Sequence, residues 1–275
     1  MHTKNHIFET MKETISSSTG RRSAILQILK QNSNISVTEL SKKFGVSEVT
    51  IRKDLNLLKE RNLLVRTRGG AILHETRKDD NDTSIRFKKL ANFREKQAIG
   101  RAAANLIKEG DTIIIDSGTT ALQVACNLHR FRNLTIITNA LNVAQEVLAY
   151  KRFNVILLGG NIRNASESVV GALAESNLKM FYCDKLFLGV DSFSIDNGLS
   201  TPNVEEANIN QIMISRSREV IAVFDSSKVN KRALAFITTL DKIDRIVTDD
   251  SMDKTTRNQL KAMNVEVITV KADPV

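Results

Sequence analysis

Few residues in this chain are placed to do chemistry, and most of those fall in short polar runs. Asp116-Ser117-Gly118-Thr119-Thr120 sets a carboxylate, three hydroxyls and a glycine in five consecutive positions. The run lies between an apolar stretch, TIII (112–115), and a helical pattern, ALQVACNL (121–128). Such a junction suits a phosphate. Glycine lets the backbone come close, the hydroxyls can donate, and a helix N-terminus favours negative charge. Lys228, after Asp225-Ser226-Ser227, can add a point charge to the same group. Asp116 and Asp191 can accept hydrogen bonds from sugar hydroxyls. Two further polar turns hold Asn139 (in Thr138-Asn139-Ala140) and Gly160 (in Gly159-Gly160-Asn161). Each feature also has a plain structural alternative: a capping turn, a solvated loop lysine, a strand-to-loop glycine.

Other chemistries find little support. His2, His6, His74 and His129 make no metal-ligand spacing, and no Ser–His or Cys–His constellation is visible. Cys126 and Cys183 stand far apart beside apolar residues, as two free thiols in a reducing cytoplasm would. The expectation is no metal, no cofactor and no catalytic residue. No apolar run approaches the ~18–20 residues of a membrane span, and MHTKNHIFETMKE has no apolar signal-peptide core. A cytoplasmic protein without membrane contact is expected.

The polar runs need a frame. From residue 95 onward short apolar strands alternate with helical patterns: TIII (112–115), LTIIT (134–138), NVILLG (154–159), KLFLGV (185–190), VIAVF (220–224), RIVT (245–248) and VEVITV (265–270). EKQAIGRAAANLI, ALQVACNL, LNVAQEVLAY and EEANINQIMISR separate several of them. That alternation predicts an α/β domain with a mostly parallel sheet, whose ligands sit beyond the carboxyl ends of the strands. All five polar turns, including Gly189-Val190-Asp191, fall at such ends.

The first third of the chain differs in charge. Of the net +9 over 275 residues, residues 1–95 carry +8, with 19 Lys and Arg against 11 Asp and Glu. A basic module joined to a nearly neutral domain points to a polyanionic partner. RRSAILQILKQN (21–32) reads as a helix. VTELSKKF (37–44), capped by Ser36, reads as a second, ended at Gly45. EVTIRKDLNLLKER (48–61), capped by Ser47, turns Ile51, Leu55 and Leu58 inward and leaves Thr50, Arg52, Lys53 and Asn56 on other faces. NLLVRTRGGAILHE (62–75) then reads as a β-hairpin carrying Arg66 and Arg68. Helix, tight turn, basic helix and basic hairpin make a winged helix-turn-helix. Residues 1–75 form that module. Residues 76–94 are a polar linker, TRKDDNDTS, and a connecting helix with Ile85, Phe87, Leu90 and Phe93, expected to pack on the C-terminal domain of residues 95–275.

VSEVTIRKDLNLL followed by RTRGGA resembles the DNA-binding region of DeoR-type bacterial transcriptional regulators. The likeness continues in REKQAIGRAAANLIKEGDTIIIDSGTTALQVA, TNAL, LLGGNIR and FDSSKVNKRA, and so covers nearly the whole chain from about residue 20. The resemblance implies a C-terminal sensor domain with a fold similar to ribose-5-phosphate isomerase, a phosphorylated sugar or sugar derivative as effector, and a homo-oligomer, dimer or tetramer. Lys53 stands where many members have arginine, which keeps the charge but loses the bidentate fork.

The expected protein is a repressor of carbohydrate catabolism genes, bound to double-stranded operator DNA through Ser47, Thr50, Arg52, Lys53, Arg66 and Arg68. A phosphorylated sugar held by Asp116, Ser117, Gly118, Thr119, Thr120, Asn139, Gly160, Asp191 and Lys228 would release it. The alternative is a sugar-phosphate isomerase-like enzyme with an appended DNA-binding domain. Asp191, Glu205, Glu206 and Lys228 could serve such chemistry, but GVDSFSIDNGLSTPNVEEANI lacks the Gly-rich lysine loop of the isomerase pattern.

Overall fold

The computed structural model describes residues 18–32, 34–61, 63–67, 69–73 and 85–272. Arg68, His74 and all of the polar TRKDDNDTS stretch (76–84) lie outside the described residues. Two compact units follow one another along the chain, the first reaching Phe93 and the second running from Arg94 to Ala272.

In the first unit α1 (Ser18–Asn32) leads through β1 (Asn34–Ser36) into α2 (Val37–Phe44), α3 (Glu48–Glu60), β2 (Leu64–Thr67), β3 (Gly70–Leu73) and α4 (Ile85–Leu90). The boundaries have local causes. Ser36 and Glu39 close a reciprocal capping box at the start of α2. Gly45 ends that helix at φ 63°, in the left-handed region where glycine carries no Cβ penalty. Ser47 Oγ accepts from the Thr50 N–H at 3.2 Å and starts α3. Ile51, Leu55 and Leu58 of α3 are fully buried against Ile25, Leu29 and Leu40, each worth about 1.5–3 kcal/mol of burial.

The wing has three antiparallel strands in the order β1-β3-β2, where the sequence suggests two. α4 belongs to this unit and packs against α1, whereas its apolar spacing had placed it on the C-terminal domain. The connecting helix stops at Leu90, and Asn92 at φ 50° separates it from α5 (Phe93–Ala104), the helix read as EKQAIGRAAANLI, which takes in Phe93.

The second unit continues with β4 (Thr112–Ile115), α6 (Thr119–Ala125), β5 (Thr135–Thr138), α7 (Leu141–Leu148), β6 (Asn154–Leu157), β7 (Asn161–Arg163), β8 (Ser168–Val170) and α8 (Ala172–Leu178). Then come β9 (Cys183–Gly189), β10 (Ser192–Ser194), β11 (Gly198–Thr201), α9 (Val204–Ser215), β12 (Ser217–Val223), β13 (Ala235–Thr238), β14 (Arg245–Asp249), α10 (Lys254–Ala262) and β15 (Glu266–Val270). The main sheet is seven strands in the order β15-β14-β12-β9-β4-β5-β6, every neighbour parallel. These are the seven strands read from the sequence. One face packs on residues of α5, α6 and α7, the other on α8, α9 and α10. The order steps outward in both directions from β4 and β9, which makes the ends of β4, β5, β9 and β12 neighbours.

Candidate functional site

The polar runs converge at those strand ends. Gly118, at φ 107°, opens α6, whose start has no side-chain cap. Thr119 and Thr120 are nearly buried there, and Ser117 is half-buried. Gly189 ends β9 so close to this turn that a Cβ would fall 2.6 Å from the Ser117 carbonyl oxygen. Its N–H donates to Asp116 Oδ2 at 3.1 Å. Two residues on, Asp191 lies 4.0 Å from the Lys228 ammonium and accepts from the Thr201 hydroxyl at 3.5 Å. Lys228 itself rides on a single 3-10 turn (Ser226–Lys228) that Asp225 caps by accepting from the Ser227 N–H. Asn139, at the end of β5, is fully buried and donates to the Val169 carbonyl of β8 at 3.4 Å.

Sequence reasoning missed the far wall. Glu206 of α9, half of the Glu205–Glu206 pair weighed only as an enzyme residue, stands at the centre. Its Oε1 accepts from Arg163 and Ser168, each at 3.4 Å, and its Oε2 from Thr201 at 3.3 Å. Arg163 and Ser168 come from the β7–β8 hairpin, whose three-residue strands carry too little alternation to be noticed. Gly160 enters that hairpin at φ 149°, where a Cβ would crowd the Val170 carbonyl at 2.9 Å. It is exposed and supplies space rather than a contact.

Asp116 is the electrostatic oddity. Burial first, then the charge of Glu206, pushes its carboxyl up to about 7. The Ser117 N–H, the Gly189 N–H and the Asn210 amide temper the rise. None of them reaches Oδ1 with hydrogen-bond geometry, so Oδ1 is a buried acceptor without a partner, as is Asn139 Oδ1. Burial also raises Cys126 to about 11 and Cys183 to about 12, so both remain thiols at neutral pH. Among the described residues no group of His, Cys, Asp or Glu is arranged to hold a metal ion, and no helix is long and apolar enough to cross a membrane.

On α3 of the first unit Arg52 and Lys53 are exposed. Arg52 pairs with Glu48 one turn earlier at 3.1 Å. Ser47 and Thr50 join hydroxyls at 3.0 Å at the helix start. Val49 beside them is 62% exposed, an apolar tip on a polar helix end. Arg66 does not extend away. It donates to Asn56 and to backbone carbonyls of Arg52 and Gly70.

A winged helix-turn-helix followed by an α/β unit with a polar site at its strand ends is the architecture of a ligand-responsive transcriptional regulator. Residues 21–77 match the family model of the DeoR-like helix-turn-helix domain, and residues 91–250 that of the DeoR C terminal sensor domain. The chain belongs to the DeoR family. The glycerol-3-phosphate regulon repressor of Escherichia coli K12 is 34% identical over 231 residues, which are 84% of this chain and 90% of that protein. The HTH-type transcriptional regulator GolR of Listeria innocua is 34% identical over 234 residues, 85% of this chain and 91% of that one. The HTH-type transcriptional repressor GlcR of Bacillus subtilis is 32% identical over 250 residues, 91% and 95% of the two chains. Among solved structures, ribose 5-phosphate isomerase A of Methanocaldococcus jannaschii is 16% identical, with a TM-score of 0.39 over 52% of this chain and 56% of that chain. At that distance the likeness bears on neither ligand nor chemistry.

Proposed function

We propose that this DeoR-family chain represses carbohydrate catabolism genes and leaves its operator when a phosphorylated sugar binds. Residues 1–75 bind double-stranded operator DNA, residues 76–94 connect, and residues 95–275 sense the effector without turning it over. α3 is the reading helix. Its inner stripe is fully buried while Thr50, Arg52 and Lys53 stay at the surface near its N-terminal end, the end that meets base edges in helix-turn-helix complexes. That division of α3 is the observation that carries the reading. Ser47 fixes the helix start, Val49 is suited to a thymine methyl group, and Arg66 and Arg68 add to DNA binding.

The effector's phosphate sits at the α6 N-terminus among Ser117, Gly118, Thr119 and Thr120, with Lys228 as counter-charge. Asp116, Asn139 and Asp191 face its sugar, and Gly160 lets the β7–β8 hairpin pack close beside the site. The protein acts in the cytoplasm as a dimer or tetramer, since repeated half-sites call for paired winged helices.

The test is footprinting of the promoter regions beside the gene, with and without sugar phosphates. One or a few sharp sites, lost on addition of one sugar phosphate, are expected. Uniform, sequence-independent binding that no sugar phosphate changes would overturn the reading. Conversion of a sugar phosphate during the incubation would instead make the second unit an enzyme.

A further inference from the structure

Two acceptor atoms at the strand ends are unanswered. Asp116 Oδ1 and Asn139 Oδ1 are buried and neither has a hydrogen-bond partner. A buried acceptor left without a donor is costly, so two at one place call for a ligand. They are at one place because β4 and β5 are parallel neighbours in register Ile114 to Ile137. Asp116 and Asn139 stand two residues past that pair, and side chains two apart leave the same face of a strand. Each orphan is also aimed. Asn139 donates from Nδ2 to the Val169 carbonyl, which fixes the amide and turns Oδ1 away from it. Asp116 is held at Oδ2 by the Gly189 N–H, which leaves Oδ1 open.

We infer that Asp116 Oδ1 and Asn139 Oδ1 form a paired acceptor that reads a hydroxyl or ammonium group of the effector, and that Asp116 reads it in its ionised form. The inference rests on the effector-sensing role proposed above. The groups around the carboxylate are Glu206 and Asn210 from α9, the Gly189 N–H from β9 and the Ser117 N–H from its own turn. Behind Glu206 stand Arg163, Ser168 and Thr201. With its carboxyl raised to about 7, Asp116 is partly protonated in the empty site near neutral pH. A donor group stabilises the carboxylate, so binding expels a proton. Affinity then climbs as pH rises toward 7 and levels off above it.

The experiment is calorimetric titration of the full chain with glucose 6-phosphate, glucosamine 6-phosphate, glycerol 3-phosphate and inorganic phosphate. It runs between about pH 6 and 8 in buffers of different ionisation enthalpy. The second ionisation of a phosphate monoester, near pKa ~6, falls in the same window, so Asp116→Asn is the reference. Wild type should release up to one proton more than this variant on binding its sugar phosphate. Asp116→Asn and Asn139→Ala should each bind that compound at least about tenfold more weakly, the loss expected for a hydrogen bond to a charged or buried group. Both should keep their affinity for inorganic phosphate. Comparing glucosamine with glucose 6-phosphate tells ammonium from hydroxyl. Unchanged affinity and proton release in Asp116→Asn would overturn the paired acceptor and leave the sensing role standing. Failure of every phosphate compound to bind wild type would overturn both.

Discussion

Arg66 of the wing donates from Nη1 to Asn56 Oδ1 on α3 at 2.8 Å, and from Nε to the Gly70 carbonyl at 3.2 Å. One guanidinium thus ties β2, β3 and α3 together. Arg66→Ala should weaken operator binding by about 0.5–1.5 kcal/mol through lost placement of wing against helix. Arg66→Lys should not rescue it, because an ammonium lacks the fork. Asn56→Ala should cost a similar amount, and the double variant little more than either. Fluorescence anisotropy with labelled operator measures all four. Fully additive losses would mean that Arg66 touches DNA directly.

A second arginine arrangement holds the first unit itself. Asp54, on the buried side of α3, takes Arg21 Nε at 2.6 Å and Arg22 Nε at 3.4 Å. Arg21 is as buried as its partner. Asp54→Ala removes the carboxylate that two arginines share in a buried place, and the loss of such a pairing destabilises a module this small. Thermal melts of the isolated variant should lose the winged-helix transition or drop it well below wild type. An unchanged melt would show that Arg21 finds water.

The residues behind these two predictions show what the sequence displays and what it hides. Ile51, Leu55 and Leu58, the caps at Ser36 and Ser47, the turn at Gly45 and all seven parallel strands were legible, because period and capping are local properties. Arg21–Asp54 spans 33 residues, and Glu206 meets Ser168 across 38. Neither pairing has a periodic signature. Asp54 sits next to Lys53 and looks like one more solvated charge. β1, β7 and β8 are three residues each, shorter than one readable alternation. The phosphate-suited turn at 116–120 was visible because its residue types are unusual together. The wall of Arg163, Thr201 and Glu206 opposite was not, because only the fold assembles it.

Asp116 makes the empty protein pH-sensitive. Its unfolded carboxyl titrates near 3.8 and its folded one near 7. Below the lower value both states hold the proton and stability is unaffected. As pH rises through the window the unfolded chain loses its proton first, so stability falls, by up to about 4 kcal/mol above pH 7. Asp116→Asn carries no such group. It should be more stable than wild type at pH 8 and not at about pH 4, read by urea denaturation across the range. A stability difference that does not change with pH would sink this account of Asp116. The same substitution should weaken effector binding, a stability gain at the expense of function.

α5 opens the second unit, and two site elements grip it. Lys96 is buried with its ammonium 3.9 Å from Asp225 Oδ2, and Asp225 caps the turn that presents Lys228. Four residues on, Gly100 meets α6 so closely that a Cβ would fall 2.5 Å from the Gln123 backbone. A ligand that shifts either the Lys228 turn or the start of α6 therefore acts on α5, whose leading end continues into the segment before it. An effector can release the operator only by binding the DNA-free arrangement better. Reciprocity then requires saturating operator to weaken effector binding by the same factor, ~5–150-fold for typical couplings. Substituting Lys96→Met together with Asp225→Asn avoids stranding a charge. That pair should bring the factor toward one while changing effector affinity less, and flexible residues inserted in 76–84 should do the same. Effector titrations with and without operator measure every case. Equal affinities in wild type would sink inducible repression, and tighter binding with operator present would make the sugar phosphate a co-repressor.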